Sequence, residues 1–258
     1  MDIFAILGTL IGVAFILVAQ AMEGGNMGQL MQVTAAMIVF GGTFGAVVAS
    51  FPVATLKTAV ELLKDVFFPP KINYDELIAE IVTFAAKARK EGVIVLEKEA
   101  KHASDPLLGM GLGTVADGAD PSLVKGMMEN QIAQLEDNVN SGAKVWESAG
   151  GYSPTLGIVG AVMGLIQVMQ NLSDPSKLGA GIAVAFVATV YGLFAANLVL
   201  IPCGTRIKFN YKKIFVAKEI ILEGVLAIQA GESPALIERK LQSFILSKSS
   251  SSGVAVDE

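Results

Sequence analysis

Between Tyr152 and Pro202 the chain is almost entirely apolar. It reads YSPTLGIVGAVMGLIQVMQNL, then a short polar loop, SDPSK, then LGAGIAVAFVATVYGLFAANLVLIP. Each apolar segment is roughly 20 residues long, and at about 1.5 Å of rise per residue that length crosses the hydrocarbon core of a bilayer. Neither carries an Asp, Glu, Lys, Arg or His. A helix that serves only as an anchor is Leu-rich, whereas these hold many Gly, Ala, Thr and Ser residues. Small residues let helix backbones approach closely, so the pair reads as a packed working surface.

The rest of the chain decides what kind of membrane protein this is. Of 258 residues, 53% are hydrophobic and 17% charged, with a mean hydropathy of +0.59. That is too apolar for a soluble enzyme and too charged for a pure membrane bundle. A membrane protein with a substantial water-exposed part is expected. One cysteine, Cys203, excludes an intramolecular disulfide and any multi-cysteine metal site. The single His102 lies in EKEAKHASD and reads as a solvated surface residue.

Ile3 to Met22 is the first candidate span and Leu30 to Phe51 the second, joined by the Gly-rich turn EGGNMGQ. Ala19-Gln20-Ala21 resembles a signal-peptidase site. No positive segment precedes it and a second span follows at once, so the segment is read as a span. Lys57 to Trp146 is rich in charge and in helical periodicity. Asn73 with Glu76 resembles a capping box, and Leu77, Ile78, Ile81, Val82, Phe84, Ala85 and Ala88 then repeat at helical spacing up to Gly92. Val93 to Ala103 predicts a second short helix, DPLLGMGLGTVADGAD a flexible connection, and Asp120-Pro121 the start of a helix running to Trp146. After Pro202 the pattern predicts an amphipathic helix ending at Gly231 and another beginning at Ser233-Pro234.

The expected fold is therefore all-α: a polytopic membrane protein with four transmembrane helices and a helical cytoplasmic domain inserted between helices two and three. The divisions are a hairpin over 1–51, the cytoplasmic domain over 52–150, a second hairpin over 151–202, cytoplasmic helices over 203–246 and a disordered tail over 247–258. Of the 19 Lys and Arg residues, ten lie in the insert, eight follow Pro202 and one, Lys177, lies elsewhere. The positive-inside bias places the insert and both termini in the cytoplasm.

Three features of the spans point to function. Gly8/Gly12, Gly41/Gly45 and Gly160/Gly164 form GxxxG pairs, which favour tight helix association and oligomerisation. Pro154 and Pro202 stand at the cytoplasmic ends of spans three and four, either as boundaries or as hinges at which freed carbonyls let a helix flex. Thr189 lies inside span four, where its hydroxyl either bonds back to its own helix or offers a polar handle to an ion path. No carboxylate lies in any membrane core, and an ion site there normally needs an ionisable group. If the protein moves ions, that group comes from another chain.

YSPTLGIVGAVMGLIQ, AFVATVYGLF, LEGVLAIQAGESPALIERKL, AAKARKEGVIVLEKE and VADGADPSLVK together resemble the MotA/PomA family, the A-subunits of the bacterial flagellar motor stator. The resemblance covers residues 1 to about 246. It implies a pentameric ring of A-subunits around two B-subunits (MotB-like) in the bacterial inner membrane. The B-subunit would supply the ion-binding aspartate and a peptidoglycan-gripping domain. Ion flow would turn the ring against the rotor's switch protein (FliG-like). Arg89 and Glu97 match the family's rotor-contacting charges, with Lys90 and Glu99 as neighbouring candidates. Pro154 and Pro202 match the two prolines tied to torque, and Thr189 the threonine beside the ion path. Sodium-driven relatives carry a threonine where this chain has Ala161. An alanine offers a bare cation no oxygen, whereas a proton moving onto a carboxylate needs none, so the resemblance implies H⁺ as the coupling ion. No cofactor, metal or nucleic-acid partner is expected. Neither is enzymatic activity, because no nucleophile–base pair, P-loop or metal-ligand cluster is visible. Two other classes remain. One is an energiser of outer-membrane processes of the ExbB/TolQ kind, which the first hairpin, Ile3 to Phe51, argues against. The other is a membrane scaffold without ion flux.

Overall fold

The computed structural model describes residues 3–173 and 175–252, and among these every regular element is helical. The elements are α1 (Ile3–Met22), a 3₁₀ turn (Met27–Leu30), α2 (Val33–Ser50), α3 (Val53–Phe67) and α4 (Tyr74–Glu91). A 3₁₀ turn (Val93–Val95) then leads to α5 (Leu96–Ala100), α6 (Pro106–Ala116) and the 50-residue α7 (Pro121–Gln170). α8 (Pro175–Phe194), a π turn (Ala195–Leu200) and α9 (Ile201–Gln229) follow without a break, and α10 (Pro234–Ser252) closes the described chain. The last helix passes the boundary expected at residue 246. The rest of the expected tail, 253–258, lies outside the described residues.

Three of these helical stretches are long and apolar enough to cross a membrane: Val33–Ser50, Pro121–Gln170 and Leu178–Gln229. α1 is apolar over its 20 residues and has no acidic or basic side chain in its end turns. The chain divides into two units, Met1–Pro69 with Asn138–Asn210 and Pro70–Asp137 with Tyr211–Glu258. The divisions differ from those expected at 52 and 150. α3 clusters with the apolar helices because it buries Ala59, Leu62 and Val66, and the Trp146 indole N–H donates to the Ala59 carbonyl at 2.9 Å.

In the membrane-type unit the third and fourth spans meet along a seam of small residues. A Cβ on Gly164 would stand 2.6 Å from the Gly181 carbonyl oxygen, and one on Gly192 2.6 Å from that of Ser153. Only a residue without a side chain allows backbones to come so near. The three GxxxG pairs therefore separate. Gly160/Gly164 lies in this seam and Gly12 rests on Leu198, whereas Gly8, Gly41 and Gly45 meet nothing within their own chain.

The helix expected to stop at Trp146 instead continues to Gln170. Gly150, just past the expected stop, is a packing position whose Cβ would fall 2.4 Å from Cγ1 of Ile201. Of the two readings of Pro154 and Pro202, the boundary reading falls with it. Neither marks a helix end: Pro154 lies inside α7, and Pro202 is the second residue of α9, directly after the π turn. A π turn takes up the register change that a proline without an N–H imposes, so the rod runs on past it.

The second unit is a helical domain around Ile81, Leu108, Leu112, Met128, Ile221, Ile237 and Leu241, each fully or almost fully buried. Here the expected flexible connection DPLLGMGLGTVADGAD is corrected: most of it is α6, and α6 supplies part of this core. Asp105 caps it by accepting from the Leu107 N–H at 2.8 Å, Pro106 opens it, and Gly118, at φ +76°, closes it. Its glycines serve contact rather than mobility, since a Cβ on Gly111 would lie 2.9 Å from the Met128 sulfur.

Ion pairs of Lys218 and Lys240 help tie this unit together. Lys218 reaches both carboxylate oxygens of Asp105 at 2.7 Å, binding α9 to the cap of α6. Lys240 on α10 hydrogen-bonds Glu223 and sits 3.4 Å from Glu232. The hydrogen bond to Glu223 raises the Lys240 amine above its ordinary pKa. A raised amine contributes stability that is complete below the unfolded lysine pKa and is lost as pH rises through the folded one. The side chain is partly exposed, so Lys240→Met should lower stability by about 0.2–1 kcal/mol at neutral pH. Melting curves of the two proteins should converge as pH passes through the lysine range. Curves that stay parallel through that range would contradict the pairing.

Candidate functional site

In the membrane-type unit, Thr189 is half-buried and its Oγ1 donates back to the Ala185 carbonyl at 3.2 Å, the standard arrangement for a helical threonine. Gly157, one turn before Ala161, lies against this residue, since its Cβ would stand 3.2 Å from Thr189 Cα and 2.9 Å from the Ala188 carbonyl. The seam thus brings the neighbourhoods of Ala161 and Thr189 together. Pro154 joins them at the lower end, where a Cβ on Gly192 would be 3.1 Å from its Cα. The preceding Ser153 is wholly buried, and its hydroxyl has no hydrogen-bond partner. Pro202 stands ten residues beyond Gly192 on the same helical rod.

A residue of this unit that the sequence did not flag is Tyr191. Its hydroxyl donates to the Leu30 carbonyl and accepts from the Gln32 N–H at 3.2 Å, and its ring stacks on Phe40 with centroids 5.8 Å apart. It closes the start of the second span onto the fourth. A lone tyrosine inside an apolar span was the available signal, because a buried phenol needs a partner.

In the helical domain, Arg89 and Lys90 occupy the last turn of α4, where cations complement the helix dipole. Gly92, at φ +84° and ψ 165°, turns the chain in a conformation open essentially to glycine. Glu97 and Glu99 then fall in the first turn of α5, held down by the fully buried Leu96. The four candidates are not equivalent. Arg89, Lys90 and Glu97 are exposed, whereas Glu99 is mostly covered and paired with Lys87 at 2.8 Å. The turn is therefore a fixed bracket on which three of the four candidates are exposed. Among the described residues no group of three or more His, Cys, Asp or Glu side chains is placed to hold a metal.

Residues 99–220 match the model of the MotA/TolQ/ExbB proton channel family, and residues 6–92 match the motility protein A N-terminal family. Motility protein A of Helicobacter pylori is 37% identical over 245 residues, covering 95% of each chain. The chain belongs to the motility protein A family. Two solved structures are similar along their whole length. One is the MotAB structure from C. jejuni, with a TM-score of 0.88, 31% identity, and 100% of this chain and 98% of that chain covered. The other is the flagellar MotAB stator complex from Bacillus subtilis, with a TM-score of 0.85, 30% identity and 99% of both chains covered. The long apolar helices and this kinship make the chain a membrane protein of the MotA type.

Proposed function

We infer that this chain is the A-subunit of a bacterial flagellar motor stator, working with a MotB-like B-subunit in the inner membrane. The observation that carries this reading is full-length similarity to MotAB stator structures together with the N-terminal motility match. That match also favours a stator over an ExbB/TolQ-like energiser, because it covers the first hairpin. Four spans with both termini in the cytoplasm follow from the uncharged segments and the basic bias of the insert and C-terminal part.

In this reading the work is mechanical and no bond is made or broken. The spans contain no Asp, Glu, Lys, Arg or His, so the B-subunit's aspartate takes and releases the ion. Five A-subunits surround two B-subunits, and each neutralisation and recharging of that aspartate favours a different register of the ring. The small-residue seam gives spans three and four a stiff common surface, and Pro154 and Pro202 are where it flexes. The Ala161 and Thr189 region faces the ion path, and the absence of a side-chain oxygen at Ala161 supports protons as the coupling ion. Arg89, Lys90 and Glu97 meet the FliG-like rotor protein, since exposed charges steer an approaching partner and release it quickly. Glu99, tied to Lys87, positions this bracket rather than contacting the rotor.

Deleting the gene in its host should leave flagella assembled but paralysed, and restoring this chain with its B-subunit should restore swimming. Loss of an outer-membrane uptake function with normal swimming would replace the stator by the energiser reading.

A further inference from the structure

Pro202 has no N–H, so the carbonyl four residues earlier, that of Leu198, lacks its α-helical donor. Leu198 lies in the π turn Ala195–Leu200, where the register of span four shifts. A hydroxyl from another helix reaches that carbonyl: Thr9 Oγ1 of α1 donates to the Leu198 oxygen at 3.2 Å in a half-buried position. Gly12, on the next turn of α1, seats the same residue, since a Cβ there would be 3.0 Å from Leu198 Cδ2. α1 thus touches the π turn through a donor and a cleft one turn apart.

We propose that Thr9 is a positioning residue for span four, its hydroxyl standing in for the missing Pro202 N–H and holding the π turn in register against the first span. The proposal rests on reading Pro202 as the hinge of that span. An unsatisfied carbonyl is expensive in hydrocarbon, so the Thr9 bond decides whether the turn rests closed or shifts to find another donor. The first hairpin then sets how freely span four flexes.

The test is a double-mutant cycle on the full chain purified with its B-subunit, read as thermal midpoint. Thr9→Val keeps the shape and removes the hydroxyl, and should lower the midpoint by about 2–4 °C, the shift expected for one hydrogen bond in a chain of this length. Thr9→Ser should keep the wild-type value. In a Pro202→Ala background, which restores an N–H for Leu198, Thr9→Val should no longer shift the midpoint. An equal drop in both backgrounds, or none in either, would overturn the proposal. Should Pro202→Ala not fold, hydrogen–deuterium exchange over 195–204 decides. Faster exchange in Thr9→Val but not in Thr9→Ser is expected, and unchanged exchange in Thr9→Val refutes it. Both readouts are independent of motility. A chain that never restores swimming would therefore sink the stator reading while the cycle still reports on the bond.

Discussion

Gly164→Val is expected to abolish the folded membrane-type unit. The new Cβ would sit 2.6 Å from the Gly181 carbonyl and 2.8 Å from the Ala185 N–H, and both are backbone atoms that no rotamer change can move aside. Overpacking at a yielding site costs about 1–3 kcal/mol. Here the fourth span as a whole must move away, which also opens the contact of Gly160 with Ala188 one turn below. Detergent extracts should yield little monodisperse protein, and cells should not swim. Gly41→Ala, whose Cβ meets nothing in the chain, should leave the chain's own fold and thermal midpoint unchanged. A Gly164→Val protein that purifies with the wild-type midpoint would mean that the seam is not a close contact.

The second large effect lies in the helical domain. Leu112 is wholly buried on α6, in the core shared with Leu108, Ile221, Ile237 and Leu241. Leu112→Ala should destabilise this unit by about 2–5 kcal/mol, the range for a buried leucine truncated to alanine. Limited proteolysis is expected to cut it between residues 100 and 120 first. Were this stretch a flexible connection, the substitution would lie within about 0.5 kcal/mol of neutral, and unchanged proteolysis would return that earlier reading.

α6 also shows where the sequence stopped being legible. In GMGLG the glycines lower intrinsic helix propensity, and nothing local reveals that Gly109 and Gly111 face Ala100 and Met128 across the domain. Tertiary packing overrides propensity there. The apolar spans were readable because the absence of charge over some 20 residues has few other meanings. The small-residue seam was readable as a tendency, but not which GxxxG pair it uses. Gly160/Gly164 and Gly41/Gly45 look alike in sequence, and only the partner helix tells them apart. The prolines left a choice that only the structure narrows. Pro154 and Pro202 read as either helix ends or hinges, and the helix-end reading fails because the chain stays helical past both. Of the candidate charges, the exposure of Arg89 and Glu97 followed from the polar stretch around Gly92. The pairing of Glu99 with Lys87 needed the fold of α5 onto α4.

The most direct test of the account is rotation itself: tethered cells that depend on this chain and its B-subunit, followed as Na⁺ is varied at fixed pH and the proton gradient is then collapsed. The account predicts rotation indifferent to Na⁺ that stops when the proton gradient is lost. Rotation that tracks Na⁺ would contradict the proton assignment drawn from Ala161, and rotation or paralysis untouched by either gradient would contradict the stator reading.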